Sequence, residues 1–216
     1  MPDARLEVVL FDLDETLYPR SAGLMQAIGE RIRLYMEQEM GMPPDVVARL
    51  RPEYVAKYGT SLRGLQIHHE VDPEDYLAFV HDIELSDYLG PDQALQAMLR
   101  DLKLRKAIFT NATEEHARAV LRVLDVEQCF ERIIDVRACG YRSKPHVEAY
   151  WKAAELLGVS PERCLMVEDN VRNLRPAKQV GMVTLLVGEC EPEEGIVDYH
   201  VPDIWQVGEV VRRIVE

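Results

Sequence analysis

The sequence predicts an α/β protein, a parallel sheet covered by helices on both faces and interrupted near its start by a helical insertion. Three observations predict it. Short apolar runs rich in β-branched residues recur along the chain, as buried parallel strands require. Helical patterns lie between most of them, and strands alternating with such helices form a parallel sheet. One stretch, from about Pro19 to Leu89, breaks the alternation and holds helical patterns only.

The first strand is Leu6-Glu7-Val8-Val9-Leu10-Phe11, and acids follow it directly. Helical candidates come next: Ala22 to Met40, Pro44 to Tyr58, Ser61 to His69 and Pro73 to Asp82. Pro43-Pro44, Gly59 and Asp72-Pro73 punctuate them. They read as a small inserted helical domain over residues 19–89, with hinges near Tyr18–Ser21 and Tyr88–Pro91. Residues 1–18 and 90–216 then form the core. The other reading is that these helices simply extend the core. Further strands are predicted at Leu104 to Phe109, Arg132 to Val136, Cys164 to Val167 and Met182 to Val187. Glu114 to Leu124 carries Ala117, Val120, Leu121 and Leu124 on one helical face. His146 to Leu157 does the same with Val147, Tyr150, Ala154 and Leu157, and Val171 to Val180 is a third helix. In the tail, Ile204, Val207, Val210, Val211 and Ile214 fall at helical spacing. That face packs on the chain's own core or against a second copy, and oligomeric state stays open. The arrangement is a Rossmann-like three-layer core.

Composition narrows the functions available. A chain of 216 residues can bury one good core with room for a small accessory domain. No run of about eighteen apolar residues exists to span a membrane. Met1-Pro2-Asp3-Ala4-Arg5 leads straight into the first strand without the layout of a signal peptide, so the expected location is cytoplasmic. Cys129, Cys139, Cys164 and Cys190 show no C-x-x-C spacing, which argues against a zinc or redox motif and for reduced, structural thiols. The formal net charge of −13 repels a nucleic acid polymer from the average surface. A small phosphorylated metabolite can still bind where cations and backbone amides are concentrated.

The candidate chemistry sits just past strand ends. Asp12 and Asp14 follow the first strand, where parallel α/β folds place their ligands. Two carboxylates so close need a cation or a proton to neutralise them. Acids can also cap a helix after a strand, so the pair alone leaves both readings open. Thr110-Asn111 follows the strand ending at Phe109, where a helix cap is the alternative. Lys144-Pro145 opens the helix starting near His146, and Glu168-Asp169-Asn170 follows the strand ending at Val167. Together, in this order, the four positions are specific.

The order DLDET, TN, KP, ED resembles the haloacid dehalogenase-like superfamily over essentially the whole chain. Phe11-Asp-Leu-Asp-Glu-Thr-Leu-Tyr-Pro19, Tyr58-Gly-Thr-Ser-Leu-Arg-Gly-Leu65, Phe109-Thr-Asn-Ala112 and Lys144-Pro-His-Val147 resemble its pyrimidine 5′-nucleotidase branch, which carries an inserted helical cap. The resemblance implies a Mg2+-dependent phosphatase in which Asp12 attacks phosphorus and Asp14 is the acid and base. The related dehalogenases lack a carboxylate at that second position. It implies magnesium held by the Asp12 side chain, the Asp14 carbonyl and the Asp169 side chain. Lys144, the Thr110 hydroxyl and the Asn111 N–H then hold the phosphoryl group. Where that branch often shows two aspartates this chain has Glu168-Asp169, which leaves open which is the closer ligand; Asp169 is favoured. Asn173 and Arg172 are expected to support this region. The cap is expected to set substrate choice, with Arg63, His68 and His69 as candidates; each histidine is alternatively a satisfied helix side chain. Tyr18 and Arg20 are expected at the entrance. The expected substrates are pyrimidine nucleoside 5′-monophosphates. The alternatives are a phosphoglycolate or sugar-phosphate phosphatase, a phosphomutase, or a non-catalytic binding module that kept the fold.

Overall fold

The six strands of a computed structural model, which describes residues 6–215, run parallel in one sheet. The reading of Met1–Arg5 lies outside the described residues. The chain divides into two units, Met1–Ala22 with Leu89–Glu216, and Gly23–Tyr88.

Strand β1 (Val8–Phe11) opens the first unit and is buried at every residue. A 3-10 turn at Arg20–Ala22 ends this segment. The second unit is helical: α1 (Leu24–Leu34), continued by a π-helical turn over Tyr35–Glu39, then α2 (Pro44–Tyr58), α3 (Ser61–His69) and α4 (Pro73–Val80). Its caps follow the sequence. The Thr60 hydroxyl accepts from the Arg63 N–H, Asp72 accepts from the Glu74 N–H, and prolines occupy the first turns of α2 and α4. Helix α2 packs on α3 with Gly64 against the Tyr54 ring, where an added Cβ would lie 2.2 Å from Tyr54 Cγ. Tyr35 meets the Tyr76 and Phe79 rings edge-on, at 5.1 and 5.4 Å between centroids.

The first unit resumes with α5 (Gln93–Asp101), β2 (Arg105–Phe109), α6 (Glu114–Val123), β3 (Arg132–Ile134) and α7 (Val147–Leu157). It closes with β4 (Cys164–Glu168), α8 (Val171–Gln179), β5 (Val183–Val187), β6 (Tyr199–Val201) and α9 (Val207–Val215). The strand order is β3-β2-β1-β4-β5-β6. The chain therefore builds outward from β1 on one side, then returns to build outward on the other. The reversal beside β1 leaves a crevice at the carboxyl ends of the strands, the place where such sheets bind ligands. On one face Val8, Leu10, Ala107, Phe109 and Met166 pack with Ala149, Tyr150 and Ala153 of α7 and Leu174 and Ala177 of α8. Alternate residues Val9, Phe11, Ile108, Leu165 and Val167 are buried on the other face. Burial on both sides is the Rossmann-like arrangement the sequence predicts, and each large core side chain contributes about 1.5–3 kcal/mol.

Several elements differ from the sequence reading. The strand expected to reach Val136 stops at Ile134, because the next residue, Asp135, turns to accept hydrogen bonds from the Glu114 and Ala138 N–H groups. The helix expected from Ala22 begins at Leu24, since Gly23 takes a left-handed φ of 81°. Helix α5 and strand β6 have no counterpart in the sequence reading. All four cysteines are free thiols. No helix among the described residues is long and apolar enough to cross a membrane.

Candidate active site

Three strand ends assemble the site. The Asp12 N–H donates to the Val167 carbonyl at 2.9 Å, which extends the β1–β4 ladder by one rung and turns the aspartate beside the end of β4. The chain then makes a helical turn, with the Leu17 N–H bonded to the Leu13 carbonyl at 3.0 Å. That turn orients both carboxylates from residues four positions on. The Thr16 hydroxyl donates to Asp12 Oδ2 at 3.3 Å, and the Tyr18 hydroxyl donates to Asp14 Oδ1 at 2.6 Å.

Lys144 is the buried cation, only 1% exposed. Its Nζ donates to Asp12 Oδ1 at 2.6 Å and to Glu168 Oε2 at 2.8 Å. Asn111 fixes the lysine's backbone from both sides. Its Nδ2 donates to the Lys144 carbonyl at 3.0 Å, and its Oδ1 accepts the Lys144 N–H at 2.8 Å. At the end of β2, the Thr110 N–H donates to the Ile134 carbonyl, and its Oγ1 accepts from the Ala112 N–H at 3.0 Å. That bond uses an oxygen lone pair and leaves the O–H proton to donate.

The acids outnumber the cation. Asp12, Glu168 and Asp169 each offer an oxygen within 4.8 Å of the others. Burial, and then the charge of Glu168, raises the Asp12 carboxyl above its ordinary range despite Lys144. Burial raises Glu168 as well, and burial together with Asp12 lifts Asp169 to about 6. For Lys144 burial opposes the charge, but Asp12 and Glu168 outweigh it and hold the ammonium form. One lysine balances one carboxylate, so the cluster fits a further hard cation with oxygen ligands. Glu168, like Asp12, has a partner on each oxygen. Its Oε2 is bonded to Lys144 and its Oε1 accepts from the Asn170 N–H at 3.3 Å.

Asp12, Asp14, Thr110, Asn111, Lys144, Glu168 and Asp169 thus stand at the carboxyl ends of β1, β2 and β4 or tie directly to them. Asn173 lies on α8, where its carbonyl accepts from the buried Tyr150 hydroxyl at 2.6 Å, and Asn170 caps that helix. Arg63, His68 and His69 belong to the helical unit. There His68 Nε2 bonds the Tyr58 hydroxyl at 2.6 Å and stacks on Tyr54, while His69 Nε2 bonds the Tyr54 hydroxyl at 2.9 Å.

The sequence reading missed one contact and one residue. Tyr18, expected at an entrance, lines a cavity with Arg20 and also bonds Asp14, a contact its spacing four residues after Asp14 could have signalled. His116, in the first turn of α6, has its Nε2 3.6 Å from Asp14 Oδ1. Nothing local in the sequence points to it, because α6 brings it from a distant segment.

A family model described as haloacid dehalogenase-like hydrolase matches residues 6–181. The chain is 29% identical over 215 residues to the glyceraldehyde 3-phosphate phosphatase of Methanopyrus kandleri, across 92% of this chain and 91% of that protein. It is 29% identical over 199 residues to phosphate metabolism protein 8 of Saccharomyces cerevisiae, across 84% of this chain but 61% of the yeast protein's length. The crystal structure of a HAD phosphatase from Thermococcus onnurineus superposes with a TM-score of 0.65 at 18% identity, covering 95% of this chain and 98% of that one. At that identity the likeness is one of fold.

Proposed function

The chain belongs to the haloacid dehalogenase-like hydrolase family, and we propose that it is a magnesium-dependent phosphatase that hydrolyses small phosphomonoesters through an aspartyl-phosphate. The observation that carries this reading is the pairing of Asp12 with Lys144 at 2.6 Å, beside a second carboxylate, Asp14, held by Tyr18.

In this reading an Asp12 oxygen attacks phosphorus in line, and the new O–P bond forms as the ester P–O bond breaks. Lys144, the Thr110 hydroxyl and the Asn111 N–H hold the phosphoryl oxygens. Asp14 gives its proton to the leaving alkoxide. It then takes a proton from the water that attacks the aspartyl-phosphate, releasing inorganic phosphate and restoring Asp12. Asp14 also favours phosphoryl transfer over carbon–halogen cleavage, which needs no such acid. The Asp12 side chain, the Asp14 carbonyl and the Asp169 side chain would hold magnesium, which when bound neutralises charge between carboxylate and phosphate. Asp169 is preferred to Glu168 because Glu168 shares Lys144 with Asp12 and also accepts from the Asn170 N–H.

The resemblance around Phe11–Pro19 and Tyr58–Leu65 favours pyrimidine nucleoside 5′-monophosphates as substrates. The helical unit is read as the inserted cap, with Arg63, His68 and His69 as its specificity candidates. A second reading is a phosphatase of phosphoglycolate or sugar phosphates, and the Methanopyrus kandleri relative, named for glyceraldehyde 3-phosphate, supports its sugar-phosphate form. Phosphate release from a generic aryl phosphate, with and without magnesium, tests the enzyme. A panel of nucleotides, phosphoglycolate and sugar phosphates tests the substrate. Magnesium-dependent release with the greatest efficiency on uridine or cytidine monophosphate is expected. No release from any member would overturn the proposal.

A further inference from the structure

Asp14 is held differently from Asp12. Asp12 takes one partner on each oxygen, Lys144 on Oδ1 and Thr16 on Oδ2. For Asp14, contacts from two separate parts of the fold fall on the same oxygen. The Tyr18 hydroxyl donates to Oδ1 at 2.6 Å, and His116 Nε2 stands 3.6 Å from that atom. Tyr18 belongs to the turn that the Leu17 N–H closes on the Leu13 carbonyl, and both leucines are fully buried. His116 arrives on α6, where its N–H donates to Thr113 Oγ1 at 3.2 Å. Tyr18 and His116 are themselves buried. A buried phenol must spend its proton on an acceptor, and Asp14 is that acceptor.

The two oxygens of a carboxyl group are equivalent only while their surroundings are. A donor on Oδ1 ends that equivalence. As an acid, Asp14 offers Tyr18 its carbonyl oxygen, the better acceptor, and so carries its proton on Oδ2. As a carboxylate it keeps the same bond. One contact thus holds the side chain through both halves of the reaction, while the proton leaves from and returns to the other oxygen. The benefit is orientation. A misplacement of about 1 Å costs on the order of 10²-fold in rate.

We infer that Tyr18 is the positioning residue of the general acid, pinning Oδ1 of Asp14 and leaving proton transfer to Oδ2, which suits the protein to phosphate esters of alcohols. The inference rests on the phosphatase reading for the role of Asp14. In the step it describes, an Asp12 oxygen bonds to phosphorus and the ester P–O bond breaks. The Asp14 Oδ2–H bond breaks with it, as the proton passes to the departing oxygen. An alkoxide leaves readily only with that proton. An aryl ester with a stable phenolate, or an anhydride, gains little from it.

The test compares two esters in the full-length protein with magnesium. Benzyl phosphate loses an alkoxide that needs a proton, and 4-nitrophenyl phosphate loses a phenolate that does not. Because kcat/KM covers the steps up to phosphoryl transfer onto Asp12, it reports the leaving group. Tyr18→Phe should lower kcat/KM for benzyl phosphate by about 10²-fold and leave that for 4-nitrophenyl phosphate nearly unchanged. Adding Tyr18→Phe to Asp14→Asn should cost benzyl phosphate nothing further, since the two residues act as a unit. Thermal unfolding confirms that each variant folds. If Tyr18→Phe does not, 4-fluorophenylalanine at position 18 fills the place of the hydroxyl without donating and takes the same comparison. Equal losses on both esters, no loss on either, or a further loss in the double variant overturns the positioning role and leaves the phosphatase reading standing. Failure of both replacements to fold makes Tyr18 a structural residue and overturns the role as well. No hydrolysis of either ester by the wild type overturns the phosphatase reading, and this inference with it.

Discussion

In the proposed reading Asp14 is the acid and base, and its surroundings suit it to that role. The Tyr18 hydroxyl, itself buried, holds one carboxylate oxygen at 2.6 Å, and the His116 ring stands 3.6 Å from the same oxygen. Burial and the neighbouring Asp14 charge push the Tyr18 phenol well above its ordinary range, so it stays a donor across physiological pH. Asp14→Asn keeps the shape and an oxygen that can accept from Tyr18, but it has no proton to exchange. The expected outcome is a fall in kcat of roughly 10²- to 10⁴-fold, the usual worth of a positioned acid and base, with an unchanged melting temperature. Steady-state kinetics beside thermal unfolding checks both halves. A wild-type kcat would remove Asp14 from proton transfer. A lowered melting temperature would mean that its bond to Tyr18 was doing structural work instead.

At the scale of elements, the tightest fit is α3 on α2. Alanine normally stabilises a helix by about 1 kcal/mol over glycine. At Gly64 that gain is outweighed, because the new Cβ would fall inside the Tyr54 side chain. Gly64→Ala should therefore destabilise the helical unit by about 1–3 kcal/mol, seen as earlier thermal unfolding and faster proteolysis within Gly23–Tyr88. A second element contact sets an acid limit. Partial burial works against ionisation of Asp198, but the Lys178 ammonium and the Thr184 N–H and hydroxyl outweigh it and hold the carboxyl below its ordinary range. A depressed folded pKa contributes stability that is present above the unfolded value, about 3.9, and is lost as pH falls through the folded one. Asp198→Asn should flatten the stability curve below about pH 4 and leave its shape near neutrality unchanged. The same contacts explain what was legible in the sequence. Strands β1, β4 and β5 are mostly apolar and β2 ends in the apolar run Ala107-Ile108-Phe109, and the residues just past β1, β2 and β4 are recognisable as acids, hydroxyls and amides. Strand β6 exposes Tyr199 and His200 and buries only Val201, so no period marks it. Helix α5 buries Leu95, Met98 and Leu99 at helical spacing after its cap Asp92, a signal that was present and left without a reading. Asn111 was read for its backbone N–H alone, because its side-chain clamp on Lys144 joins residues 33 positions apart.

At the scale of the whole chain, the site is a stability liability that folding tolerates and a cation would relieve. Folding brings Asp12 beside Glu168 and Asp169, which no local structure in the unfolded chain would do, and Lys144 compensates only part of their charge. A divalent ion that binds the folded state alone stabilises it by about 2.7 kcal/mol at a hundred times its Kd. For a chain of this size each kcal/mol moves the melting temperature by roughly 2–4 °C. Magnesium should thus raise it by about 5–10 °C, and a chelator should reverse the rise. The net charge of −13 demands a control, since any salt screens self-repulsion. Sodium chloride at matched ionic strength should produce only a small part of the shift. Asp169→Asn should abolish the magnesium-specific part. It should not lower the melting temperature without metal, because it removes one charge from an undercompensated cluster. A variant that lost stability without metal, yet kept the full magnesium shift, would place the cation elsewhere and make Asp169 a structural residue.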